Sequence, residues 1–198
     1  MTLQSLDTGL LLFINLGMVN ADFDILMPAL SLQGYLLVIP FLLAMLLKSA
    51  STRNNSGKTF LTAAAWTLVV AFSAWYLSGW AENGLKVAIS RERPCRALEH
   101  IRLILPCPKS FSMPSGHACS SFAVAVPLFS LTRGYIALIW RLYPLLLASL
   151  IAFSRVYLGV HYPSDVLAGA FLGGLIGLAL SMLYRVIATE ELVTREKR

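Results

Sequence analysis

The chain reads as an all-α integral membrane protein, a helical bundle of about five transmembrane helices with an interfacial helix at its amino end. Two observations predict this class. Hydrophobic residues make up 57% of the 198 positions and charged residues only 13%, where a soluble domain carries about 25% charged. The apolar residues also fall in runs longer than a soluble core helix uses. Together these exclude a disordered chain, a coiled coil and a charged nucleic-acid module. The net charge of +6 is scattered over short loops rather than gathered on one basic face, so no nucleic-acid partner is expected. The length suits one membrane-embedded domain, 1–198.

Residues 1–22 contain no run long enough to span a bilayer. Leu3, Leu6, Leu10, Phe13 and Gly17 recur at helical spacing, which predicts a helix lying in the membrane interface. A signal peptide is the rival, but no basic residue precedes the apolar run and no A-x-A site follows it. Residues 25–47, 59–81 and 166–184 lack Asp, Glu, Lys and Arg. Each is long enough to cross a hydrocarbon core of about 30 Å at ~1.5 Å per residue. Segment 111–132 carries His117, and segment 142–160 carries Arg155. An ionisable residue within a span marks a functional site by default.

Loop charge gives the direction. Lys48, Arg53, Lys58, Arg133, Arg141, Arg185, Arg195, Lys197 and Arg198 all fall on one side, nine of the sixteen basic residues. The positive-inside rule places that side in the cytoplasm and the amino end outside. The one long connection, 82–110, then lies outside and holds Pro94, Pro106 and Pro108; a loop of that length is usually functional.

The unusual polar residues collect at the outer helix ends. Lys86 and Arg93 follow the second span, Ser115, Gly116 and His117 open the third, Arg155 closes the fourth, and His161 and Asp165 lead into the fifth. Two arginines and a lysine without matching carboxylates call for an anion, and guanidinium forks match phosphate oxygens. Pro114-Ser115-Gly116-His117 reads as a turn into a helix N-terminus, where free N–H groups favour a bound anion. His161 and Asp165 are four apart, on one face if helical. A carboxylate on one imidazole nitrogen leaves the other basic and aimed, the arrangement of a histidine nucleophile and its orienter. His117 remains as general acid.

Lys86-x6-Arg93-Pro94, Pro114-Ser115-Gly116-His117 and Ser154-Arg155-x5-His161-x3-Asp165 resemble the tripartite signature of the type 2 phosphatidic acid phosphatase superfamily. The signature covers 86–165 with every position matched. The resemblance implies a lipid phosphate phosphatase that works without metal or other cofactor, through a phosphohistidine. It implies that Lys86, Arg93, Ser115, Gly116 and Arg155 bind phosphate, that His161 is the nucleophile, Asp165 its orienter and His117 the acid. Phosphatidylglycerol phosphate, phosphatidic acid, undecaprenyl diphosphate and lipid A phosphate are all compatible substrates. Gly116 stands where some relatives acting on undecaprenyl diphosphate have Asp. The expected setting is the inner (plasma) membrane, with the site on its extracytoplasmic face.

Three rivals accompany this reading: a lipid phosphotransferase on the same scaffold, vanadate-dependent oxidation as in soluble relatives, and a non-enzymatic scaffold or transporter. A metal at His161 and Asp165 is disfavoured because Arg155, Lys86 and Arg93 would repel it. Gly169, Gly173 and Gly177 form overlapping GxxxG steps, read as close packing within the bundle or as a homodimer face. Cys95 and Cys107 share the outer loop, and a disulfide between them is left open by the sequence. Cys119 is expected to be a buried packing residue.

Overall fold

A computed structural model describes residues 2–51 and 55–196. It contains eight α-helices among those residues and no strand. They are α1 (Leu3–Leu12), α2 (Ala21–Gln33), α3 (Ile39–Ser51), α4 (Asn55–Ile89), α5 (Pro94–Ala97), α6 (Gly116–Leu131), α7 (Leu138–Tyr157) and α8 (Pro163–Glu196). A π-turn, Phe13–Gly17, extends α1, and a 3₁₀ turn, Gly34–Val38, joins α2 to α3. Side chains cap the amino ends. The Thr2 hydroxyl accepts from the Ser5 N–H, and the Asn20 amide oxygen accepts from the Asp22 N–H, each satisfying an orphan donor of a first turn.

By length and composition α4, α7 and α8 can each cross a membrane. The apolar stretches Leu36–Met45 and Gly116–Leu131 are shorter, and α1 with α2 passes only as a pair, bent by 119°. The segment 25–47, expected as one continuous span, is therefore broken at Gly34–Val38. A Cβ at Gly34 would lie 2.8 Å from Ile151 of α7. The glycine lets the backbone press onto α7, and Pro40 in the next turn lacks the N–H that would continue the ladder.

The second and third spans also differ from expectation. Helix α4 runs on to Ile89, well past 81, so Lys86 sits on a helix and not in a loop. Glu82 and Lys86 pair at 2.8 Å one turn apart, which favours helix through the polar end. Ser90, with φ 51°, then turns the chain in the left-handed region, and Pro94 begins α5 at its first position. Helix α6 starts only at Gly116, because 111–115 is irregular. Its 16 residues make a rod of about 24 Å.

Helix α6 is the central element, packed against α8, α4 and α7, while α2 packs on α7. The contact with α8 depends on small residues. A Cβ at Gly169, Gly173 or Gly177 would lie 2.4, 1.9 or 2.8 Å from the backbone oxygens of Ser115, Cys119 and Ala123. The glycine ridge is buried against α6, the close packing within the bundle that its spacing allowed. Cys119 is fully buried there. Large apolar side chains cover the outside of the bundle, among them Leu68, Phe72, Leu167, Phe171 and Met182, as a lipid-facing surface requires.

Candidate active site

One end of α6 meets the ends of α4, α7 and α8 at a cavity of about 800 Å³. Lys86, Arg93, Gly116, His117, Arg155 and His161 all line it. Six of the eight residues singled out from the sequence thus share one space. Ser115 and Asp165 lie immediately behind, both fully buried.

His161 reaches the cavity because α7 stops abruptly. The N–H groups of Leu158, Gly159 and Val160 turn back to Ser154, Val156 and Arg155 carbonyls. Gly159 has φ +71°, and a Cβ there would lie 2.5 Å from Ile101, so only glycine fits. The imidazole is 1% exposed. An Arg93 guanidinium N–H donates to His161 Nε2 at 2.8 Å. Guanidinium has no acceptor, so Nε2 offers its lone pair and the ring proton sits on Nδ1. That proton faces Asp165, with Nδ1 3.5 Å from Oδ2, somewhat longer than a formed hydrogen bond. Burial pushes the imidazole from its ordinary 6.5 down to about 3, with Asp165 opposing the shift. The site therefore holds a neutral histidine in the tautomer whose cavity-facing nitrogen is unprotonated.

Asp165 is fixed from several directions. The Tyr162 N–H donates to Oδ2 at 2.9 Å, the Ser112 hydroxyl donates to the same oxygen, and Arg91 donates to Oδ1 at 2.6 Å. Arg91 also donates to Ser164 Oγ and to Asp7 Oδ2, each at 2.7 Å, and its guanidinium lies 4.0 Å over the Tyr162 ring. Asp7 in turn accepts the Ser164 N–H at 2.9 Å. A second polar anchor lies two turns on. The fully buried Asn15 donates to the Tyr157 and Arg102 carbonyls at 2.7 and 2.9 Å and accepts the Arg102 N–H at 2.9 Å. Helix α1 is thereby tied directly to the segment carrying His161 and Asp165.

Arg93 is held by the outer loop. Its Nε and Nη2 donate to the Ser110 carbonyl and hydroxyl at 2.8 and 2.9 Å, and Nη1 donates to the Val160 carbonyl at 2.9 Å. A disulfide joins Cys95 and Cys107, with Cα atoms 6.0 Å apart. It bridges the strand of chain bearing Arg93 to the one that delivers Ser110. Arg155 donates to the Ser31 hydroxyl, and His117 bonds to the Ser31 backbone, so α2 also borders the site. The Ser115 hydroxyl is buried and has no hydrogen-bond partner among the described residues. A buried donor left open beside a helix N-terminus suits an anion.

The sequence reading missed Asp7, Asn15, Ser31, Glu82, Arg91, Ser110 and Ser112. Glu82 corrects one of its premises: the cationic cluster does contain a carboxylate, paired with Lys86. The i,i+4 spacing of Glu82 and Lys86 was the available signal. Nothing in the linear sequence marks the other six, which act across long separations.

The family model of the PAP2 superfamily matches residues 65–187. The chain is 29% identical to the lipid A 4'-phosphatase of Bacteroides thetaiotaomicron over 184 residues, 88% of this chain and 75% of that protein. It is 36% identical to the undecaprenyl-diphosphatase of Sulfolobus acidocaldarius over 110 residues, 56% of this chain and 50% of that one. The crystal structure of a transmembrane PAP2-type phosphatidylglycerolphosphate phosphatase from Bacillus subtilis shares the fold. Its TM-score is 0.65 at 23% identity, covering 93% of this chain and 87% of that chain. With the signature residues gathered at one cavity and the family model spanning α4 to α8, the chain belongs to the PAP2 superfamily.

Proposed function

We propose that the protein is a metal-independent lipid phosphatase that works through a phosphohistidine at His161. The observation that carries this reading is the convergence at one cavity of an unprotonated His161 Nε2 with Lys86, Arg93, Arg155 and the amino end of α6. A phosphate entering the cavity accepts the Arg93 N–H now given to His161, which releases Nε2 to attack phosphorus. The bond from phosphorus to the lipid oxygen breaks, and His117 supplies the proton that this oxygen takes up. Water then attacks the phosphohistidine while His117 accepts its proton. Inorganic phosphate leaves, and His161 returns to its neutral form. The positive charge developed for the transferring group comes from Lys86, Arg93 and Arg155, in the place a metal ion takes elsewhere.

A lipid is the fitting substrate because the cavity continues along α4. Trp75, Tyr76 and Trp80 line it and are themselves exposed on the helix surface. A tail can therefore stay in the bilayer while the head reaches His161. With the basic loops inside, the site faces the extracytoplasmic side of the inner membrane.

Phosphate release by purified protein tests the reading, across phosphatidylglycerol phosphate, phosphatidic acid, undecaprenyl diphosphate and lipid A phosphate in excess EDTA. Turnover of at least one lipid is expected, with vanadate inhibiting. Activity lost to EDTA and restored by a divalent ion would contradict it. Transfer of labelled phosphoryl to a second lipid instead of water would make the enzyme a phosphotransferase.

A further inference from the structure

The cavity that holds the proposed chemistry is lined by three fixed cations and one carboxylate. Lys86, Arg93 and Arg155 supply the positive charge, and Glu82 is the carboxylate. Asp165, Arg91 and Asp7 lie behind His161 and outside the lining. The proposed reaction gives Glu82 nothing to do. His161 attacks, His117 moves the proton, and an ionised carboxylate has no hydrogen to donate to a phosphate oxygen.

Its position is nonetheless well defined. Glu82 is 9% exposed, and Lys86 Nζ lies 2.8 Å from its Oε2. A Cβ built on Gly116 would come within 2.7 Å of Oε1 and within 3.0 Å of the other two carboxylate atoms. The carboxylate therefore presses against the first residue of α6, at the mouth of the phosphate cradle. The missing side chain of Gly116 is what makes room for it.

A carboxylate placed there weakens binding of any phosphate, so its effect must be differential to be of use. Three cations less one carboxylate leave two positive charges facing the ligand. A phosphate monoester carries close to two negative charges at neutral pH, with its second pKa at about 6. A diphosphate ester carries about one more, and its second phosphate must sit beside the first. Like charges held a few ångströms apart repel. We propose that Glu82 is a specificity-determining residue that admits lipid phosphate monoesters and rejects diphosphates. The proposal rests on the phosphatase reading above and narrows its substrate class.

The test uses the full chain in detergent with octyl phosphate and octyl diphosphate. The wild type is expected to prefer the monoester in kcat/KM. Glu82→Gln keeps the shape and removes the charge, so it should reduce that preference about tenfold, while Glu82→Asp keeps most of it. A preference unchanged in Glu82→Gln overturns the proposal, including the case in which both esters gain or lose activity equally. Calorimetric titration with inorganic phosphate and with pyrophosphate separates this from failure of the phosphatase reading. Glu82→Gln should improve pyrophosphate affinity about tenfold more than phosphate affinity, even if neither ester is turned over. Equal changes in the two affinities would also overturn it.

Discussion

His161 shows how much a single side chain depends on its surroundings. Its proton sits on Nδ1 because Arg93 donates to Nε2 at 2.8 Å, and burial keeps the ring neutral down to about pH 3 against an ordinary 6.5. The folded state therefore binds that proton less readily than the unfolded chain. The depressed value contributes stability that is fully present above 6.5 and is lost as pH falls from there toward 3. Thermal midpoints in detergent should accordingly drop with acidification more steeply for the wild type than for His161→Gln. Equal slopes would show that the imidazole is not held neutral. Ser115 makes a second residue-level prediction. Its buried hydroxyl lacks a partner among the described residues, and a hydrogen bond to a charged group is worth about 1.5–3 kcal/mol. Ser115→Ala should lower kcat/KM roughly tenfold or more while leaving the thermal midpoint near that of the wild type. A variant with wild-type kinetics would remove Ser115 from the phosphate cradle.

Helix α1 illustrates what a linear pattern can and cannot reveal. The sequence shows an apolar stripe, and Leu3, Leu6, Leu10 and Phe13 are indeed on the helix surface, 88% exposed in the case of Leu3. The docked face is the opposite one, where Asp7, Leu11 and Asn15 are buried at successive helical turns. Two polar residues in a docking stripe do not register as amphipathic, because their partners, Arg91, Ser164, Tyr157 and Arg102, are supplied by the fold. The signature residues, by contrast, are legible because their chemistry is visible in their types and spacing. The end of α4 fell between these cases: an Ala-Glu-Asn-Gly stretch looks like a loop, and the Glu82–Lys86 pair carries the helix through it. Asp7 reaches the chemistry at second hand, through Arg91 and Ser164, which position Asp165. Asp7→Asn should therefore lower kcat about tenfold, ~1.4 kcal/mol, with KM within about twofold, and Asp7→Glu should recover most of the loss. A change confined to KM would place Asp7 in substrate binding instead.

The same logic applies to the outer loop. Cys95 and Cys107 close a loop with a sequence separation of 12, and a cross-link of that length stabilises by about 3 kcal/mol. Replacing both by serine should lower the thermal midpoint to that of the reduced wild type. It should also weaken phosphate binding, since Arg93 donates two of its hydrogen bonds to Ser110 in the outer loop. A midpoint unaffected by reductant would show that the bridge holds nothing in place.

At the scale of the whole molecule, the bundle brings four distant segments to one end of a short central helix. Its glycine-lined contact with α8 brings the α8 backbone within reach of α6, and the Ser115 N–H donates to the Asp165 carbonyl at 2.9 Å. That bond couples Ser115 of the proposed phosphate cradle directly to Asp165, the proposed orienter of the nucleophile. The proposed side of the membrane rests on loop charge alone. In a Cys119→Ser background, a cysteine introduced at Lys109 should react with an impermeant thiol reagent on intact cells, and one at Asn55 should not. The reverse pattern would move the site to the cytoplasm without altering its chemistry.

The phosphohistidine is the claim on which the account stands, and rapid quenching of the enzyme with ³²P-labelled lipid phosphate tests it most directly. Label should be found on wild-type protein as an acid-labile, base-stable adduct mapping to the peptide that contains His161, and His161→Ala should be both unlabelled and inactive. Turnover by His161→Ala, or label mapping to another residue, would contradict the account.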